Sequence, residues 1–250
     1  MLITRDAAHQ IEPCLRSIAF ADEIVVVDSG SRDDSKAIAE RLGARVIHQE
    51  WLGYGRQKQF AVEQASHEWV LCLDADERAT PELRESILRA LAAPSSPVYR
   101  MARRNRFMGR WLAHGEGYPD WSARLFRRDC ARWSADPVHE KLLYSVTPGT
   151  LTGDLEHDSA ENLSQYMEKQ NRYTTLAARQ LFEQFEKGGA AVPAGAVRLV
   201  LSPVVRFFKF YLFHLGFLDG LPGLIHISIG CMNSCMKYAK LIELRRARKH

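Results

Sequence analysis

Trp69-Val70-Leu71-Cys72-Leu73-Asp74-Ala75-Asp76 is a short apolar run that stops abruptly on two carboxylates. Such a run is too short for a helix and ends in polar residues, so it reads as a buried strand whose carboxyl end meets solvent. Glu23-Ile24-Val25-Val26-Val27-Asp28 repeats the pattern with β-branched residues, a terminal aspartate and the turn residues Ser29-Gly30-Ser31. Outward from these two runs, strands and helices alternate. Leu2 and Ile3 begin a short strand, and Ile11, Leu15 and Ile18 then recur at helical spacing. Ile38 and Leu42 lie one helical turn apart, Gly43 marks a helix stop, and Ala44 to His48 form a further strand. Residues near Gln57 to Ala65 read as helix, and Thr80 caps another that opens on Pro81 and is carried by Leu83, Ile87 and Leu91. The alternation predicts an α/β fold, a parallel sheet with helices on both faces. In such folds ligands bind beyond the carboxyl ends of the strands, where Asp28 and Asp76 fall.

Pro94-Ser95-Ser96-Pro97 punctuates the chain, and shorter strands follow near Val98 to Met101 and Ala123 to Arg127. These extend the same domain to about residue 150, with halves at about 1–93 and 97–150. From about Asp158 the pattern turns helical: Leu163, Met167, Leu176 and Leu181 form an apolar stripe, with Asp158 as N-cap and Glu161 three residues later. A helical extension is thus expected over 151–250. Within it, Phe207 to Ile229 is apolar but interrupted by Lys209, His214 and Asp219, and Pro222 with Gly216, Gly220 and Gly223 is expected to break a helix. The pieces suit interfacial helices rather than a clean membrane span. Lys237, Lys240, Arg245, Arg246, Arg248 and Lys249, against the single acid Glu243, form a basic end attracted to an anionic membrane surface. The alternative is a helix pair packed on the catalytic domain or on another subunit of an oligomer.

With 250 residues, 46% of them hydrophobic, the chain can bury a full core. A net charge of +4 suits an anionic partner without separating nucleic acid from lipid or nucleotide. Five scattered cysteines point to a reducing compartment, and Cys231 and Cys235 lack the second pair that a zinc site needs. Met1 to Arg5 carries no basic region followed by a long apolar run, so a cytoplasmic location is expected.

Asp74-Ala75-Asp76 carries the sharpest chemical signal. In extended backbone, residues two apart project to one side, so both carboxylates can face a nucleotide diphosphate and a hard divalent cation. The competing reading is a solvated turn. Asp28, followed by Ser29 and Gly30, supplies a carboxylate for a base or ribose, and its competing role is a helix cap. Arg103, Arg104, Arg124, Arg127 and Arg128 lie among Phe107, Trp111, Trp121 and Phe126. Basic residues interleaved with aromatics can bind nucleic acid, but no stacking module is visible and an acidic glycolipid fits better.

Thr4-Arg5-Asp6, Val27-Asp28-Ser29-Gly30-Ser31, Trp51-Leu52-Gly53-Tyr54-Gly55-Arg56-Gln57-Lys58 and Leu73-Asp74-Ala75-Asp76-Glu77-Arg78 together resemble glycosyltransferase family 2. The resemblance is nearest to the lipopolysaccharide inner-core glucosyltransferases and continues through Tyr118-Pro119-Asp120, Pro137-Val138-His139-Glu140-Lys141 and Gly216-Phe217-Leu218-Asp219-Gly220. It implies a GT-A fold and inverting transfer from a nucleotide-sugar donor, UDP-glucose, to a lipid-linked saccharide, with Mg2+ or Mn2+ as cofactor. Thr4, Arg5, Asp28, Ser29, Gly30, Gln57, Lys58, Asp74, Ala75 and Asp76 would contact the donor, Asp76 holding the metal while Asp74 and Asp28 hold the nucleoside. Arg103, Arg104, Arg124 and His139 would meet the acceptor or phosphate. The general base would be Glu140, matching a Glu-Asp pair that precedes a helix in relatives, with Asp120 as its rival. Asp6 stands where an Asn is common. Among other classes, a nucleotidyltransferase needs a Gly- and Lys/Arg-rich phosphate loop that the N-terminal region lacks. An inactive membrane scaffold would have lost Asp74, Asp76 or Glu140, and a nucleic-acid binder predicts salt-dependent binding to oligonucleotides.

Overall fold

The computed structural model describes residues 1–135, 140–159, 162–186 and 196–248. It divides into two compact units, one of residues 1–104 and 120–158, the other of residues 105–119 and 159–250.

In the first unit the parallel sheet is built from β1 (Leu2–Thr4), β2 (Val25–Asp28), β3 (Arg45–His48) and part of the Trp69–Asp76 stretch. That stretch is not one strand. Trp69–Leu71 (β4) pairs antiparallel with a later strand, whereas Leu73–Asp74 (β5) pairs parallel with β1, and the chain changes sheets at the buried Cys72. The parallel sheet has the order β3-β2-β1-β5, in a register that sets Thr4 beside Asp28, and Asp28 beside His48, with Asp74 beside Ile3. The carboxyl ends therefore form one rim.

Alternation along the strands explains why helices cover both faces. Leu2 and Val26 pack with Ile11 and Leu15 of α1 (Ala8–Ser17) and Ala39 of α2 (Ser35–Arg41), while Ile3, Val25 and Val27 pack with Ala61 and Val62 of α3 (Tyr54–Gln64). Burying a Val or Leu side chain stabilises by roughly 1.5–3 kcal/mol, so these two clusters dominate the unit.

The second sheet has the order β4-β9-β7-β12-β6, made of β4, β6 (Glu77–Ala79), β7 (Val98–Phe107), β9 (Asp120–Arg127) and β12 (Gly149–His157), with β8 (Arg110–Trp111) pairing to β7. The hairpin β10 (Arg132–Trp133) and β11 (Leu142–Leu143) stands apart as a two-stranded sheet. β12 carries the sheet past residue 150, where the change to helix was expected, and its last residue, His157, pairs with Glu77. Gly153 explains why this strand escaped the sequence pattern. Its φ of +83° breaks the alternation, and a Cβ there would lie 2.3 Å from the Leu83 nitrogen on α4 (Pro81–Ala92).

In the second unit the helices are α5 (Leu163–Glu186), α6 (Ala196–Phe208) and α7 (Gly220–Ala247). Asp158 does not cap α5. The cap is Asn162, whose side chain accepts from the Gln165 amide at 2.9 Å while Gln165 accepts from the Asn162 amide at 3.1 Å. Glu161, the expected partner, lies outside the described residues. The helix buries Thr174 and Ala178, whereas Leu163 is exposed.

The glycine- and proline-rich segment breaks the helix earlier than expected. After α6 come a wide turn of π-helix at Lys209–Phe213 and a short 3-10 turn at Gly216–Asp219, separated by Leu215 at φ +55°. Pro222 and Gly223 then sit in the first turn of α7, where a missing amide hydrogen costs nothing. Three of the basic residues of this end pack on α5, and Lys249 lies outside the described residues. Lys240 donates to the Asn171 carbonyl and to Thr174 on α5 at 2.9 and 2.8 Å, Arg248 pairs with Glu186 at 2.7 Å, and Arg245 covers the Phe185 ring. These cations pack on a neighbouring helix.

Candidate active site

The rim of the parallel sheet opens onto a continuous chain of alternating charges. Lys58, on the buried side of α3, reaches Asp74 at 3.0 Å and Glu140 at 3.2 Å. Asp74 accepts from Arg124 at 2.9 Å, and Arg124 donates to Glu77 at 2.8 Å. Glu77 lies 3.5 Å from Arg103, whose guanidinium grips one oxygen of Asp120 at 2.9 and 2.6 Å. The ladder thus runs Glu140, Lys58, Asp74, Arg124, Glu77, Arg103, Asp120, and ends at each side on a carboxylate. Its middle is dry: Lys58, Glu77 and Arg124 are buried, and Glu77 has no exposed surface at all. A charge so deep persists only if paired on every side, and Glu77 also accepts from the Asp74 amide at 3.0 Å.

The electrostatics follow from this packing. Burial alone would raise the Asp74 carboxyl, but Arg124 and Lys58 overwhelm it and hold it far below its ordinary range. Burial likewise opposes the charge on Lys58 and on Arg124, yet Asp74 above all raises the former, and Glu77 with Asp74 raises the latter. Asp74, Lys58 and Arg124 therefore stay ionised at neutral pH.

Asp74 and Asp76 do not project to one side as extended residues would. Ala75 and Asp76 form a turn between β5 and β6, so Asp74 faces Lys58 and Arg124 while Asp76 turns to His157, whose Nε2 lies 3.2 Å away. Burial tends to raise the Asp76 carboxyl, and the hydrogen bond from His157 reverses this and holds it below its usual value. A carboxylate oxygen and an imidazole nitrogen at this separation form a donor pair suited to a divalent cation with further positions left for phosphate oxygens or water. Among the described residues no third His, Cys, Asp or Glu joins them. His157 was not found from sequence because it lies on the strand that Gly153 disguises.

The remaining donor-side residues shape the rim. Asp28 closes the turn that follows β2 rather than capping α2, which begins at Ser35: its carboxylate accepts from the amides of Gly30 and Ser31, at 3.1 and 3.0 Å, and from the Ser31 hydroxyl. Ser29 donates its amide and hydroxyl to the Thr4 carbonyl, at 3.0 and 3.2 Å. The Thr4 hydroxyl is buried and meets no partner among the described residues, which leaves one polar atom of the rim for a ligand. Asp6 adopts φ +50°, a left-handed conformation that Asn and Asp tolerate best, and its carboxylate accepts from the Arg32 amide at 2.8 Å. Arg5 points outward and pairs only loosely with Asp6. Gln57 is fully buried, with both ends of its amide clamping the loop at Gln49 and Leu52.

Glu140 does not precede a helix. It follows residues 136–139, which include His139 and lie outside the described residues, and it leads into β11. Its hairpin presses on α3 at Gly55, where a Cβ would fall 1.9 Å from the Ser134 carbonyl oxygen and 3.3 Å from the Glu140 Cβ. Glycine is what lets Glu140 approach Lys58. Arg103 and Arg124 belong to the ladder, and the buried Nε of Arg104 makes no hydrogen bond among the described residues.

The family model for glycosyl transferase family 2 matches residues 1–141. A lipopolysaccharide core biosynthesis glycosyltransferase, LpsC of Rhizobium meliloti (strain 1021), is 31% identical over 92% of this chain and 86% of its own length. An uncharacterized glycosyltransferase of Rickettsia bellii (strain RML369-C) is 29% identical over 97% of this chain and 85% of its own. Among solved structures, residues 1–349 of S. aureus TarS align over 98% of this chain and 90% of that one, at 14% identity and a TM-score of 0.46. The chain belongs to glycosyltransferase family 2, and it is a glycosyltransferase similar along nearly all its length to one of lipopolysaccharide core assembly.

Proposed function

We propose that the protein transfers a hexose, glucose from UDP-glucose, to a lipid-linked acidic saccharide such as the lipopolysaccharide inner core, with inversion at the anomeric carbon. The observation that carries this reading is the pairing of His157, at the end of β12, with Asp76 on the turn that delivers Asp74 into the ladder ending at Glu140. The likeness to LpsC supports the acceptor class, and with it a place at the cytoplasmic face of the inner membrane.

Asp76 and His157 would hold Mg2+ or Mn2+, which offsets the charge that gathers on the leaving diphosphate. The chain's own part is orientation and proton transfer. The rim formed by Thr4, Asp28, Ser29 and Gly30 receives the nucleoside, with the Thr4 hydroxyl as its unpartnered polar atom. Glu140 takes the proton from the acceptor hydroxyl as its oxygen bonds to the anomeric carbon and the bond to the diphosphate breaks. Two facts favour Glu140 over Asp120 as base. Glu140 meets Lys58 through Oε1 alone, whereas a single oxygen of Asp120 accepts two guanidinium hydrogens. Each such bond occupies an oxygen lone pair that an acceptor hydroxyl would otherwise meet. Lys58 ties the base to the donor-side Asp74 and fixes their spacing.

Purified protein incubated with a panel of nucleotide sugars and Mg2+ or Mn2+ tests the reading through release of nucleoside diphosphate. UDP-glucose is expected to be hydrolysed slowly without acceptor, and Asp76→Ala to lose metal-dependent donor binding by calorimetry. Donor binding by that variant with an unchanged response to Mn2+ would show the metal to lie elsewhere. Release from a different nucleotide sugar would replace the donor.

A further inference from the structure

One face of the second unit is apolar, continuous and exposed. Val197, Val200, Leu201, Val204, Val205 and Phe208 recur along α6 at spacings of three and four residues, and each is at least 45% exposed. The stripe runs on into the bend, where Phe213 is 83% exposed. On the opposite side α6 is satisfied: Leu199 packs with Ala178, Tyr238 and Leu241, and Arg206 donates to Glu116 at 2.9 Å and to Ser234 at 3.2 Å. An amphipathic helix with its inner face complete and its outer face wet marks a surface for something else.

Charge on the segment points to one occupant. Between residues 196 and 218 there is no Asp or Glu, while Arg198, Lys209 and His214 are exposed. Arg110 adds a further exposed cation at the bend, where it donates to the Leu218 carbonyl at 3.0 Å. The nearest acid, Asp219, is buried, its carboxylate accepting the amides of Ala113 and His114 at 3.1 and 2.8 Å. Apolar side chains bordered by cations, with carboxylates kept inside, complement an acyl layer beneath anionic headgroups.

Geometry excludes a simple crossing by this segment. No single described helix is long and apolar enough to span, and Val197–Phe213 with Gly216–Ala247 meets the requirement only as a pair bent by 76°. The seventeen residues Val197–Phe213 extend only about 25 Å, short of the roughly 30 Å hydrocarbon core. We propose that α6 and the bend after it lie in the plane of an anionic bilayer, with the Val197–Phe208 stripe and Phe213 sunk into the acyl boundary and Arg198, Lys209 and Arg110 on headgroup phosphates. The lipid contact is then α6, while Lys240 and Arg245 of α7, and Arg248 just after it, serve α5. This rests on the lipid-linked acceptor of the preceding section only for its purpose, since the surface stands whatever sugar is transferred.

Flotation of the full chain with vesicles of phosphatidylcholine, alone or mixed with phosphatidylglycerol, tests it. The native protein is expected to float with the mixed vesicles. Val205→Glu combined with Phe213→Glu should reduce the bound fraction roughly tenfold or more, because each change sets a charge against the acyl layer. Both positions are exposed, so the variant should melt like the native protein and hydrolyse UDP-glucose at the same rate. Arg246→Gln with Lys249→Gln should float unchanged. Undiminished flotation of the double glutamate variant would overturn the proposal, as would loss of flotation in the Arg246/Lys249 variant. Light scattering without vesicles gives the third arm: a native dimer that the glutamates dissociate would assign the face to a second copy of this chain. Donor hydrolysis is read separately, so failure of the transferase reading leaves flotation intact and is told apart from failure of the docking face.

Discussion

In the middle of the ladder, at Lys58, Arg124 and Glu77, charge has been taken out of water and set against opposite charge, with only Nε and Nη1 of Arg124 left there without a hydrogen bond among the described residues. Along the outer face of α6, apolar surface has been left in water with nothing matched to it. Desolvation is unfavourable for the first and favourable for the second, so a fold that does the reverse of what solvent prefers in both places is spending stability on purpose. The ladder holds carboxylates at fixed spacing for chemistry, and the α6 face keeps hydrophobic area for a later association.

The comparison breaks most sharply at Glu140. Replacement by Gln removes the base while the near-isosteric amide keeps the contact with Lys58, so transfer is expected to fall by roughly two to four orders of magnitude with donor affinity kept. Single-turnover transfer and donor calorimetry, run beside Asp120→Asn, check this. Transfer near the native rate in the Gln variant with loss in the Asn variant would move the base to Asp120.

Glu77 tests whether the ladder is a unit. Glu77→Ala leaves the buried Arg124 and the half-buried Arg103 without their shared partner, and a loss of about 3–5 kcal/mol is expected in urea unfolding. Glu77→Gln should recover part of it by keeping an acceptor between the two guanidinium groups. A loss under about 1 kcal/mol in the Ala variant would mean the members are independent.

His226 tests the other unit through pH. Its ring packs against Phe107 and Tyr166, and burial, aided by Arg206, pushes its pKa down from 6.5 to about 4. The folded state therefore binds fewer protons than the unfolded one across that interval. The stability it permits is complete above pH 6.5 and declines as pH falls toward 4, by on the order of 3 kcal/mol in all. Urea unfolding of the native chain and of His226→Asn from pH 7 to 4 checks it, the variant losing less than the native protein. Parallel curves would refute the shift. The smallest effect is expected at Asn162, where Ala removes the cap of α5 and should cost about 1 kcal/mol, read from the same unfolding transitions without change in donor binding.

What could be read from sequence follows from how local the signal is. Ile24 to Asp28 announces itself because five neighbours share one environment, and Thr80 with Pro81 announces a helix start within two residues. The ladder is a different matter, since Lys58 meets Glu140 across 82 positions and Arg124 meets Glu77 across 47. Lys58, Asp74, Arg103, Arg124, Asp120 and Glu140 were each named, but their alternation in space, and Glu77 and His157 among them, depend on strands pairing from distant parts of the chain. The Trp69–Asp76 run misled in a specific way, because a change of partner sheet at Cys72 leaves no trace in hydrophobicity. Asn162 outcompeted Asp158 as cap because Gln165 stands at the reciprocal position for it.

The two regions also answer to ionic strength with opposite sign. The ladder and Asp76 bring five carboxylates against three cations, so an incoming diphosphate without its counter-ion meets net repulsion at the rim. Added salt screens that repulsion within a Debye length of about 8 Å at physiological strength. The same salt weakens the hold of Arg198, Lys209 and Arg110 on an anionic surface. Activity measured on free donor and dispersed acceptor should therefore tolerate salt that strips the enzyme from vesicles, and the concentration at which the two curves cross marks where catalysis ceases to be limited by the rim and becomes limited by the encounter with lipid.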